Sequence, residues 1–173
     1  GRGDRRALRR HELHGKVMLM ALAQAIEAWE PVSAIRVSRT WYPIVSALHI
    51  VGLGILIGAI LTADLRVLGV WKPEGWRDAV AAATPVSAFG LLVTLVTGTL
   101  LIAVRASHYL QNTMLLLKFG LIGLGLLNVA VFHHWLRRSS NERPALRLRL
   151  AAFVSVVVWI GTIFAGRWIA FVA

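Results

Sequence analysis

The sequence predicts an all-α integral membrane protein, a four-helix bundle running up-down-up-down, preceded by an N-terminal amphipathic interfacial helix. Three observations predict this class. Hydrophobic residues make up 57% of the 173 residues. They are gathered in four blocks of about twenty rather than spread in the periodic stripes of a soluble domain. The segments between the blocks are short and rich in arginine, as loops flanking membrane spans are.

Taken in order, residues 1–40 form a basic N-terminal segment and an interfacial helix, and residues 41–173 form the bundle. The opening "GRGDRRALRRHELHGK" is polar and basic, and reads as flexible or bound to a lipid surface. It becomes an extension of the natural chain if Met18 or Met20 is the start. "VMLMALAQAIEAWEP" follows, with Gln24 and Glu27 on one side and Val17, Met20, Leu22, Ile26 and Trp29 largely elsewhere. It is too short and too interrupted to span, so it is expected to lie in the interface and end near Pro31.

The first span runs from Tyr42 to Ala63, the second from Pro85 to Val104, the third from Thr113 to Phe132 and the fourth from Leu150 to Phe171. A helix of about twenty residues crosses about 30 Å of hydrocarbon, and only a helix satisfies the backbone of such a run in lipid. The connectors 64–84, 105–112 and 133–149 are short, which makes sequential helices antiparallel neighbours. Trp41, Tyr42, Trp71, Trp76, Tyr109, Trp135 and Trp168 are placed as an interfacial aromatic belt. Gly54 and Gly58 make a GxxxG in the first span, expected to pack against another helix. Ser155, Trp159, Thr162 and Gly166 form one weakly polar stripe on the fourth span, expected to face the bundle.

The formal net charge is +11. In a chain of this kind such an excess reports topology and contact with the lipid bilayer, and no nucleic-acid partner is expected. Arg66, Lys72, Arg77, Arg137, Arg138, Arg143, Arg147 and Arg149 crowd the first and third connectors. That places those connectors in the cytoplasm and both termini in the periplasm. The absence of cysteine excludes disulfides, thiolate metal sites, iron–sulfur clusters and covalent c-type haem.

Ionisable groups inside the spans are the candidate functional residues, because lipid penalises them. His49, Lys118 and Arg167 approach one layer near the terminal face. Two cations beside an imidazole would attract a haem propionate, a quinone oxygen or a lipid phosphate. The alternative is that Lys118 and Arg167 snorkel to the headgroups while His49 bonds a neighbouring helix. Asp64, Arg66, Asn128, His133 and His134 gather on the connector side. There Asp64 is expected to accept from Arg66, a connector arginine or His133, in a topology-fixing ion network at the rim.

A haem b held by two histidines needs them at one depth. His49 and His133 lie near opposite faces, whereas His49 and His108 share a side. One axial His49 with propionates on Lys118 and Arg167 is geometrically permissible. For a metal, His49 and His133 are the candidates. A copper reading rests on His11 with His14 and His133 with His134, which lack accompanying cysteines or deep methionines. No paired carboxylate, nucleophile–base pair, HExxH or phosphate loop is present, so the chain leans away from being an enzyme.

Read together, "WYPIVSALHIVGLGILIGAILTADLRVLG", "TPVSAFGLLVTLVTGTLL", "YLQNTMLLLKFGLIGLGLLNVAVFHH" and "SVVVWIGTIFAGRWIAF" resemble a bacterial four-helix membrane family that carries a domain-of-unknown-function label. The resemblance covers about residues 30–172. It rests on His49, Asp64 to Gly69, Thr97 and Gly98, Lys118, Asn128, His133, and Gly166 to Ile169. It implies the topology and a bacterial inner membrane, and names no activity. More distantly, the chain is similar to CopD-type copper-resistance and cytochrome b561-like membrane proteins. The function expected is a small electron-transfer element, or a subunit of a membrane complex, binding haem b or a quinone. A non-catalytic scaffold or accessory subunit, gripping partner subunits or a second copy, is one alternative. Copper handling across the membrane is another.

Overall fold

A computed structural model describes residues 2–72, 74–109, 113–139 and 143–172, with the backbone alone described at residues 2–13, 16, 108, 109, 113 and 169–172. All regular elements among them are helices: α1 (Arg2–Ala28), α2 (Glu30–Val37), α3 (Trp41–Leu68), α4 (Trp76–Val104), α5 (Ala106–Tyr109), α6 (Thr113–Arg137) and α7 (Leu146–Val172). Four of them, α3, α4, α6 and α7, are long and apolar enough to cross a membrane. Their order is the up-down-up-down bundle predicted, and the protein is an integral membrane protein.

The spans are longer than the apolar runs. α4 starts at Trp76 rather than at Pro85, which sits inside the helix. Proline has no N–H to give the preceding turn. Nearby hydroxyls bond to carbonyls of this stretch: Thr84 donates to Val80 O at 2.7 Å and Ser87 to Thr84 O at 2.9 Å. The extra turns carry Trp76 into the core at 3% exposure, beside Val67, Val80, Phe132 and Leu148, so it is not part of an interfacial belt. α3 ends at Gly69, whose φ of 80° is the left-handed cap that glycine adopts without strain. Arg149 reaches across from α7 to donate to Leu68 O at 2.6 Å, tying this end of α3 to α7.

α3 and α4 form one closely packed hairpin and α6 and α7 a second, and α3 joins the two by packing on α7. The α3–α4 contact is backbone on backbone. A Cβ on Gly90 would stand 2.5 Å from Leu56 N and 3.0 Å from Gly52 O. A Cβ on Gly52 would stand 2.8 Å from Thr94 Oγ1. Small residues let membrane helices approach in this way. The glycines that do so on α3 and α4 are Gly52 and Gly90. Gly54 and Gly58 meet nothing within 4 Å, so the GxxxG pair of the first span faces outward. α4 and α6 are not among the closely packed pairs of the described residues.

At the terminal end, α1 is one continuous helix that already includes residues 2–16, which the sequence reads as flexible or bound to a lipid surface. It packs on α4 and α5, and α2 packs on α3 and α4. Glu27 fastens this arrangement: its Oε1 accepts from the Ser107 backbone N–H and hydroxyl, both at 2.7 Å. Arg36 lies 3.7 Å from Oε2. The two Ser107 hydrogen bonds, with a smaller contribution from Arg36, hold the Glu27 carboxyl below the usual glutamate range.

Two outcomes follow. Gly90→Ala forces α3 and α4 apart against backbone atoms, an overpacking expected to lower unfolding stability in detergent by about 1–3 kcal/mol; an unchanged stability contradicts the contact. For Glu27, whose folded pKa is lowered, the stabilisation is present above the ordinary glutamate pKa and is lost as pH falls through the folded value. Spin labels at the exposed Gln24 and Arg105 should therefore give a narrow distance distribution near neutral pH that broadens only when the pH falls below the ordinary glutamate range. Glu27→Ala should be broad at both.

Candidate functional site: an intramembrane cavity

Helices apolar on every side leave their few polar residues to mark what faces inward. On α3 these are His49 and Asp64, on α4 Thr84, Thr94 and Thr97, on α6 Lys118, Asn128 and His133, and on α7 Ser155 and Thr162. The structure sorts them into two layers.

Near the terminal face, the His49 ring lies against α4. A Cβ on Gly98 would meet His49 Cε1 at 2.9 Å, so only glycine leaves the ring its place. Nδ1 is 3.0 Å from Thr97 Oγ1, and that hydroxyl donates to Val93 O at 2.6 Å. The Thr97 proton is thereby committed, so Nδ1–H is the donor to Thr97 and Nε2 of a neutral ring keeps its lone pair. Lys118 lies across α7, where a Cβ on Gly166 would meet Nζ at 3.2 Å. Its ammonium lies near the His49 ring. Arg167 is exposed beside it on α7. The His108 side chain lies outside the described residues, as does that of His11.

On the connector side lies a cavity of about 170 Å³ lined by α3, α4, α6 and α7. Its wall is apolar apart from Asp64, Thr84, Ser87, Asn128, His133, Ser155 and the indole of Trp159. Asp64 is 7% exposed, and Ser155 is its hydrogen-bonding neighbour. Among the described residues, no ion pair to Asp64 is seen. Arg66 turns instead toward Trp71, 5.7 Å from the ring centroid. His133 turns to α4, with Nδ1 donating to Val129 O at 2.9 Å and Nε2 at 3.3 Å from Thr84 Oγ1. The single Thr84 proton serves Val80 O or His133 Nε2 but not both, so Nε2 is weakly held. Asn128 Nδ2 donates to Ala151 O at 3.0 Å, joining α6 to α7.

Two wall residues carry a buried polar atom without a partner among the described residues, Asp64 Oδ2 and Trp159 Nε1. Native interiors leave few such groups, and each calls for an explanation. Trp159 is 2% exposed, and its ring edge fills the space that a Cβ on Gly125 would occupy. No three His, Cys, Asp or Glu side chains come together as a metal-binding group among the described residues. His49 and His133 stand in separate layers.

A family model matches residues 35–172, most of the chain. The chain belongs to DUF6644, a family of unknown function. No curated protein and no solved structure matches this DUF6644 chain, so the broader likeness to copper-resistance and cytochrome b561-like proteins finds no counterpart there. Within the matched region, the residues on which the resemblance rests sit at contacts between helices: His49 on Gly98, Lys118 on Gly166, Asn128 at Ala151, His133 at Thr84, and Gly69 against Arg149. Three cavity residues escape a reading of the DUF6644 sequence for charge: Thr84, placed in a connector, and Ser87 and Ser155. The stripe of Ser155, Trp159 and Thr162 was the available signal, and all three are buried.

Proposed function

We propose that this membrane protein binds a small lipid-soluble molecule with a single-ring, hydrogen-bonding head, of the quinone class, in the cavity between α3, α4, α6 and α7. The observation that carries the reading is the pair of unpartnered polar atoms on the cavity wall, one acceptor at Asp64 and one donor at Trp159. Such groups are costly in lipid and are relieved by a ligand that both accepts and donates. A quinone carbonyl accepts from an indole N–H, and the hydroxyl of its reduced form donates to a carboxylate. His133 Nε2 and Asn128 offer further polar contacts at the same end.

Size supports a single ring. The cavity, about 170 Å³, is close to the roughly 150 Å³ that accommodates one benzene in an engineered protein interior. A haem macrocycle is several times larger and would require the helices to separate. This reading moves the ligand from the layer of His49, Lys118 and Arg167 to the connector side. The terminal layer then serves helix packing, through the seats that Gly98 and Gly166 provide for His49 and Lys118.

Binding is tested with the full chain in lipid nanodiscs and a methyl-substituted benzohydroquinone without a tail, kept reduced, read as the ligand-dependent rise in Tm. Saturable stabilisation is expected. Trp159→Phe, which keeps an aromatic ring and deletes the donor, and Asp64→Asn should each weaken binding about tenfold, equivalent to about 1.4 kcal/mol. No stabilisation, or equal affinity in both variants, contradicts the reading.

A further inference from the structure

The cavity has a side opening. Ala88 of α4 and Leu126 of α6 line it, yet both are exposed on the outside of the bundle, Leu126 at 40%. They face each other across the one sequential pair of long helices that does not pack closely, α4 and α6. Both residues lie near the middle of their helices. In a spanning bundle that places the opening near the bilayer midplane, where the surroundings are acyl chains rather than water. The polar groups Asp64, Asn128 and His133 stand on the connector side of the opening, nearer the ends of α3 and α6. A molecule entering here passes its head inward toward those groups and leaves whatever follows the head in the seam between α4 and α6.

The lips of the seam fit an apolar chain. Ala88 and Leu91 on α4 and Leu126 on α6, which line the cavity on this side, are all apolar. α4 carries no Asp, Glu, Lys or Arg after Asp78, and α6 carries none between Lys118 and Arg137. A ligand lacking a tail would fill the cavity but leave the seam to lipid.

Resting on the reading above, we infer that the ligand is a ring head bearing a long alkyl or polyprenyl tail, which enters sideways from the bilayer between α4 and α6 and keeps its tail in that seam. The tail contributes to affinity beyond its effect on membrane partition, and the opening at Ala88 and Leu126 selects tailed over tailless molecules.

The test compares the tailless ring with the same ring carrying a ten-carbon alkyl tail, using the full chain in nanodiscs. Ligand is expressed per lipid in the bilayer, so that partition cancels. The tailed form should bind at least tenfold more tightly. Ala88→Trp and Leu126→Trp, each adding bulk at an exposed lip, should bring the ratio of tailed to tailless affinity, measured within each variant, to about one. Leu116→Trp, on the exposed side of α6 away from the opening, should change neither. Equal affinity for the two forms, or an advantage that survives both lip substitutions, overturns the inference and leaves the head-binding reading standing. If neither form binds, both fall.

Discussion

The backbone contact of α3 with α4 at Gly52 and Gly90 is the constraint on which the rest of the bundle depends. Water does not drive helices together within lipid, so association rests on close packing and a few hydrogen bonds. Gly90 brings α4 so near that a single methyl would strike Leu56 N and Gly52 O. With one side of α3 committed to α4, its other contact goes to α7, and α7 carries α6. The chain closes three of the four seams of a square bundle and leaves α4 and α6 apart. The cavity is a consequence of that arrangement: Leu56, Ile60 and Asp64 of α3 form its floor opposite the unclosed side.

The polar residues sit where this geometry can use them. Hydroxyls of Thr84, Thr97 and Thr162 donate to carbonyls of their own helices, which satisfies them in lipid at no cost in partners. The longer side chains cross between helices: His49 and His133 to α4, Asn128 and Lys118 to α7. Asp64, Arg66, Thr94 and Trp159 are the exceptions among the described residues, since each retains a buried polar atom without a partner. Of these, Asp64 and Trp159 line the cavity, and the proposed ligand is the partner suggested for them.

Much of the fold was legible in the sequence because lipid imposes a length. Four uninterrupted apolar runs can be little else, and their short connectors fix the antiparallel order. What faces inward was less legible. A helix that is apolar all round shows no stripe, so Gly54 and Gly58 looked like the packing pair while Gly52 performed that role. Pro85 marked a boundary in the sequence but lies inside α4, since a first-turn proline and an internal one read alike. That shift hid Thr84 among connector residues and Trp76 among interfacial ones. The rim position assigned to Asp64 came from its charge and from the arginines after it. The structure turns it inward to Ser155, a partner 91 positions later that only the α3–α7 contact brings near.

The central claim is that a ring-headed molecule occupies the cavity at the connector end of the bundle. Photo-crosslinking tests it most directly: a ring bearing an azide, irradiated with the full chain in nanodiscs, followed by mass-spectrometric mapping of the labelled residues. The account predicts adducts on the inward residues of 83–91 and 126–133, lost when an excess of unlabelled ring is present. Labelling confined to outward faces such as Leu116, Leu117 and Phe164, and undiminished by that excess, would contradict it.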